Sequence, residues 1–237
     1  MNVKLKKWPK NPIIIDGFPG FGLVGTIATE FLIEHLKTEQ IGKIVHDESP
    51  VVVAIHENKV VEPFGIFYNK KYNIVIVHAI SAVTGFEWSI AKIIDELAKS
   101  LKAKEVISLE GVGSSNIDEN LCRIFYYSNN EKSKKKFESI KVLPLKEGII
   151  MGVTGAILLK IEKVPVSCIF AESHTNMPDS KAAAKIIETL DKYLGLAVDY
   201  KPLLEQAEKF ENKLKGLLEK SKEAEDLAEK KKLNYVG

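Results

Sequence analysis

Short β-branched runs alternating with stretches of helical period constrain this chain more than any other feature. Runs rich in Ile and Val, most bounded by Pro or Gly, occupy 13–15, 41–45, 51–55, 64–68, 74–80, 106–109, 123–127, 141–143 and 166–171. Such lengths suit strands. Between them, apolar residues take helical spacing over 23–36, 87–101, 154–161 and 181–194, where Ile186, Ile187, Leu190 and Leu194 share one face. Ser81 or Thr84 is placed to cap the helix at 87, and Asp179 or Ser180 the helix at 181. Alternation of this kind predicts a sheet covered by helices. Strand candidates follow one another between 41 and 80 with no helix among them, and such a run pairs as hairpins. The expected fold class is therefore α/β, on a mixed rather than purely parallel sheet.

After Leu194 the pattern changes. Gly195 offers a helix stop and Pro202 a helix start. The apolar residues Leu203, Ala207, Phe210, Leu214 and Leu217 are spaced alternately four and three apart, a seam of period 3.5 suited to helix–helix packing. The seam continues through Ser221, Ala224 and Ala228 and so fades. A helix over 202–232 would be about 45 Å long. This divides the chain into an α/β core over 1–200 and a C-terminal helix and tail over 201–237, with the first half of the helix docked and the second projecting.

Charge excludes one class of partner. Of 34 basic residues only Arg123 is an arginine, and the formal net charge is +2. Arginine is the preferred bidentate reader of guanine edges and phosphates, so nucleic-acid recognition is not expected. No apolar run approaches the ~18 residues that span a bilayer, and Met1 to Lys10 carries charges without an apolar stretch; a cytoplasmic protein without membrane contact is expected. Cys122 and Cys168 stand apart without a Cys-x-x-Cys spacing and read as buried small apolar residues. His35, His46, His56 and His78 occur singly, without the spacing that sets metal ligands on one helical face. Neither a metal nor a cofactor is expected.

The segment after the first strand candidate contains Gly17, Gly20, Gly22 and Gly25, the last three forming a literal G-x-G-x-x-G ahead of a helix. In a dinucleotide fold such glycines let backbone N–H groups approach a pyrophosphate. Here the pattern starts beyond the strand's end and the next strand leads into hairpins, so the preferred reading is a tight turn with close helix–strand packing. Related turns follow other strand candidates, at Glu110-Gly111, at 148–155 and at Glu172-Ser173-His174. If those strands run parallel to the first, their carboxyl ends gather Asp16, Glu110, Glu172 and His174 at one sheet edge, where α/β folds place ligand crevices. Carboxylates with a histidine there would support acid–base work. With no nucleophile–base pair beside them, capping of the following turns is the preferred role. The lysines at 132 and 134–136 are expected on a solvated helix face.

Taken together, Gly17-Phe18-Pro19-Gly20-Phe21-Gly22-Leu23-Val24-Gly25, Glu110-Gly111, Gly152-Val153-Thr154-Gly155, Ala171-Glu172-Ser173 and Pro178-Asp179 with its Ala-rich helix resemble the archaeal branch of the proteasome assembly chaperone family. That family, proteasome assembly chaperone 2-like, is also labelled ATP-grasp. The resemblance covers about 12–215. It implies a three-layer αβα fold similar to nucleoside phosphorylases, self-association, and, for some members, binding to the proteasome α-ring. Members that dock there end in hydrophobic-Tyr-any. This chain reads Leu233-Asn234-Tyr235-Val236-Gly237, with Tyr235 third from last, a departure that leaves direct docking, a relaxed tail motif and the holding of a partner chaperone all open.

The expectation drawn from these residues is a non-enzymatic, ATP-independent homo-oligomer. It would hold proteasome α-subunits or a related assembly chaperone through Leu233, Tyr235, Val236 and Gly237. Phe210, Leu214 and Leu217 would pack helix against helix. The alternative is a protein or enzyme for a nucleoside or phosphorylated ligand, bound in a crevice of Gly17, Gly20, Gly22, Gly25, Glu110, Gly111 and Glu172.

Overall fold

A computed structural model gives the three-dimensional structure and describes residues 2–45, 54–56, 59–80, 84–113, 122–173, 178–205 and 216. In chain order the strands are β1 (Asn2–Leu5), β2 (Ile13–Gly17), β3 (Glu39–Val45), β4 (Ala54–His56), β5 (Lys59–Val61), β6 (Phe64–Asn69), β7 (Ile74–Ala79), β8 (Glu105–Gly113), β9 (Ile124–Ser128), β10 (Leu143–Pro144) and β11 (Val166–Ser173). The helices are α1 (Val24–His35), α2 (Glu87–Leu101), α3 (Glu131–Ser139), α4 (Gly152–Lys160), α5 (Ser180–Leu194) and α6 (Lys201–Glu205), with a 3-10 turn at Phe21–Leu23 leading into α1.

Nine strands form one mixed sheet in the order β1-β3-β6-β7-β2-β8-β11-β9-β10. Its centre, β7-β2-β8-β11, is parallel. These strands are apolar on both faces: every residue of β7 and β11 is buried, as a parallel centre covered on two sides requires. One face packs Ile14, Val75, Val77, Val106, Cys168 and Phe170 with apolar residues of α2 and α4. The other packs Ile15, Ile76, Ile107, Ile169 and Ala171 with α1, α3 and α5. The result is the expected three-layer αβα arrangement.

The hairpin expectation for 41–80 holds for β3 with β6 and β6 with β7, both antiparallel. It needs correction for 51–55: β4 leaves the main sheet and pairs with β5, a strand the hydrophobic pattern did not single out. The short β1, Asn2-Val3-Lys4-Leu5, was also unforeseen; it covers the edge of β3, and a lysine such as Lys4 on an edge strand discourages further pairing. Of the run at 141–143 only Leu143 joins the sheet, in the two-residue β10 with Pro144, and Lys141 sits at φ 62°, away from extended backbone.

Helix ends follow local chemistry. The side chain of Asp179 accepts from the N–H of Ala182 at 2.9 Å, and Gly195 closes α5 in the left-handed conformation. The expected cap of α2 is not made: Phe86 occupies the N-cap position without a side-chain hydrogen bond, and Thr84 lies exposed before it. Ser81 lies outside the described residues. Cys168 is buried as expected, whereas Cys122 is only half-buried. At the start of the C-terminal segment, α6 buries Leu203 against the α1–α5 layer.

Candidate functional site

Strands β2, β8 and β11 run parallel, the condition on which the expected gathering of their carboxyl ends at one edge depended. In register, Asp16 pairs with Ser108 and Ser108 with Cys168, while Glu110 lies opposite Phe170 and Glu172 opposite Val112. Side chains two apart on a strand share a face, so Asp16, Ser108, Glu110, Cys168 and Glu172 all point toward the layer of α2 and α4. His174 lies outside the described residues.

Asp16 is fully enclosed, and the Ser108 hydroxyl donates to its two oxygens at 3.0 and 2.9 Å. Burial drives its carboxyl up to about 8, against the lowering effect of Ser108, and the nearby Glu110 raises it further. Glu110 is pushed up to about 7, again chiefly by burial. Its carboxyl collects donors from three segments: Thr154 Oγ1 of α4 at 3.0 Å, the N–H of Gly111 at 3.2 Å, and the N–H of Phe21 from the glycine turn. Among the described residues neither carboxyl makes a salt bridge.

This arrangement decides how the glycine motif works. In a dinucleotide fold the turn's N–H groups face a pyrophosphate; here Phe21 N–H faces the protein's own Glu110. A β-carbon on Gly20 would overlap Glu110 Oε1, and one on Gly25 would overlap the backbone carbonyl of Leu109. Gly22 sits at φ 63° against Ser173. The glycines therefore let the turn and α1 approach β8 and β11 closely.

A cleft of ≈ 810 Å³ opens above Glu110. Of the residues expected in a crevice, Gly20, Glu110, Gly111 and Glu172 line it, whereas Gly17, Gly22 and Gly25 do not. Its walls include Phe18, Phe21 and Phe125, and its outer rim is the segment from Leu143 to Met151. Arg123 forks onto Glu172, Nε to Oε2 at 2.7 Å and NH2 to Oε1 at 2.5 Å. Sequence reasoning missed Arg123 and the stretch 143–147, whereas the turn at 148–155, expected at this edge, supplies Gly148 to Val153 of the wall. Arg123 arrives here because β9 runs antiparallel to β11, and Leu143 because β10 pairs with β9, orientations that no local pattern encodes.

Elsewhere, buried His78 bridges Thr29 Oγ1 at 2.8 Å and Glu30 Oε2 at 2.9 Å. Glu105 accepts from Ser133, Ser167 and Tyr193 beneath α3. Both are interior polar networks with their partners supplied by the fold. Among the described residues no group of His, Cys, Asp and Glu is arranged to hold a metal ion, and no helix is long and apolar enough to cross a membrane. The residues from Phe210 to Leu217 named above, and the whole of 233–237, lie outside the described residues.

Comparison with known proteins gives a consistent picture. The PAC2 family model matches residues 14–218. Pyrococcus furiosus PbaA, described as an archaeal homolog of proteasome-assembly chaperone, superposes with a TM-score of 0.85 at 33% identity, covering 94% of this chain and 98% of that one. Pyrococcus furiosus PbaB, described as an archaeal proteasome activator, shares the fold with a TM-score of 0.74 at 24% identity, over 91% of this chain and 98% of that one. The Methanocaldococcus jannaschii protein MJ0106 is 27% identical over 214 residues, 89% of this chain and 87% of its own length. These matches support the assembly-chaperone side of the resemblance and give the ATP-grasp label no support.

Proposed function

This chain belongs to the PAC2 family, and from that membership we infer that it is a non-enzymatic, ATP-independent homo-oligomeric chaperone or scaffold of proteasome assembly. Its partner on this reading is the proteasome α-ring or a related assembly chaperone. The observation that carries the reading is the match to PbaA over nearly the full length of both chains, at 33% identity.

The contact is assigned to the C-terminal helix and tail. Phe210, Leu214 and Leu217 supply a helix–helix seam, and Leu233, Tyr235, Val236 and Gly237 an aromatic anchor with apolar neighbours. Several tails on one oligomer would add avidity to weak single contacts. The burial of Leu203 in α6 supports a helix whose first turn is seated on the core. Capture of archaeal α-subunits by the full chain, compared with a version stopping at Lys232, tests this: loss of capture on truncation is expected, and equal capture by both overturns the tail's role.

The alternative of a nucleoside or phosphate ligand at the glycine-lined edge is disfavoured by Glu110. An anion entering the cleft would meet that carboxyl at the turn N–H it needs.

A further inference from the structure

We propose that the cleft above Glu110 receives a lysine side chain from a partner polypeptide, its ammonium meeting the Glu110 carboxyl and the residues flanking that lysine resting on Leu143, Ile149 and Met151. The inference rests on the reading of this chain as a protein-binding member of its family, and adds a second contact made by the core rather than by the tail.

Three observations carry it. First, Glu110 lines the cleft with Asp16 buried beneath it, and among the described residues neither carboxyl makes a salt bridge. Burial holds both carboxyls partly protonated at neutral pH, and an ammonium would replace that proton with a fixed charge. Second, the donors on Glu110 select the kind of cation. A carboxylate has about four acceptor sites; Thr154, Gly111 and Phe21 use three. One remaining site suits a compact ammonium, whereas a guanidinium fork requires both oxygens, as Arg123 takes from Glu172 at the rim.

Third, the surroundings exceed what a small amine needs. Leu143 is 64% exposed, Ile149 89% and Met151 78%, and all three border the cleft. Large apolar residues clustered about a polar floor match a polypeptide with an apolar stretch on either side of its lysine. Among the described residues the other titratable groups around Glu110 are Asp16 below it, the neutral thiol of Cys168 on β11, and Arg123, Lys146, Glu147 and Glu172 on the cleft wall. Arg123 and Glu172 neutralise each other, as Lys146 and Glu147 do in formal charge.

The probe is acetyl-Leu-Lys-Leu-amide, titrated into the full chain at pH 8 and followed by chemical shifts. Saturable binding with Kd of order 1 mM is expected. Binding should weaken about tenfold at pH 6, where Glu110 is protonated. It should also weaken at least about tenfold when the lysine is ε-acetylated or when Glu110→Gln, verified as folded by its melting curve, replaces the wild type. Absence of saturation by about 10 mM, or equal affinity for the acetylated peptide, overturns the proposal. Hexylammonium binding as tightly as the peptide would return the cleft to a free amine and overturn the polypeptide assignment. Failure of the peptide alongside intact α-subunit capture would reject the lysine site alone; peptide binding without capture would reject the proteasome reading and leave the cleft.

Discussion

Thr154 donates its hydroxyl to Glu110 Oε2 at 3.0 Å, and this bond ties the first turn of α4 to β8 across the floor of the cleft. Thr154 is itself buried. Thr154→Val keeps the shape and removes the donor, so it should cost about 1–2 kcal/mol. Losing that donor also removes a lowering influence on Glu110, so its carboxyl should titrate above about 7. Denaturant melts and a carboxyl-carbon NMR titration check the two effects.

Asp16 makes stability depend on pH in an unusual direction. Its carboxyl titrates near 3.8 when exposed and at about 8 in the fold, so between those values the folded chain retains a proton that the unfolded chain has released. Stability is therefore full below about pH 4 and falls as pH rises toward 8. The loss attributable to this buried group is of order a few kcal/mol. Asp16→Asn should flatten the profile and raise Tm at pH 8 while leaving it nearly unchanged at pH 4. Thermal melts at the two values decide; equal gains at both would contradict the assignment.

Gly20 and Glu110 should be coupled. Gly20→Ala drives a methyl into the Glu110 carboxyl and is expected to cost about 2 kcal/mol or more. In a Glu110→Ala background that cost should shrink, because the obstructing carboxyl is gone. Gly25→Ala meets the backbone of Leu109 instead, so the same background should give no relief. A double-mutant cycle on denaturant midpoints separates the two.

Arg123 is half-exposed, which limits what its fork on Glu172 contributes. Arg123→Lys should cost about 1 kcal/mol or less in stability, measurable as a small shift in urea midpoint. A larger loss would mean that the fork fixes the position of β9 rather than decorating its end.

The central strands were legible because their β-branched runs leave few alternatives, and the mixed sheet because 41–80 has no room for a helix. Asp179 and Gly195 announced the ends of α5 through cap chemistry that is local to the chain. The cleft was legible only by half. Asp16, Glu110, Glu172 and the 148–155 turn could be assigned to one edge from the assumption of parallel strands, whereas Arg123 and Leu143 reach that edge through the reversal of β9 and its pairing with β10. The depth at which Asp16 is enclosed depends on α2 and α4 packing over it, long-range information absent from the residues around position 16. Thr84 misled because capping propensity says nothing of where the preceding turn places the side chain; Phe86 took the position instead.

On the proposed function this chain engages a component of proteasome assembly. Sedimentation of the full chain mixed with archaeal proteasome α-subunits tests it most directly. A boundary heavier than that of either protein alone and containing both is expected. Two boundaries unchanged from the separate proteins, at concentrations well above micromolar, would contradict it.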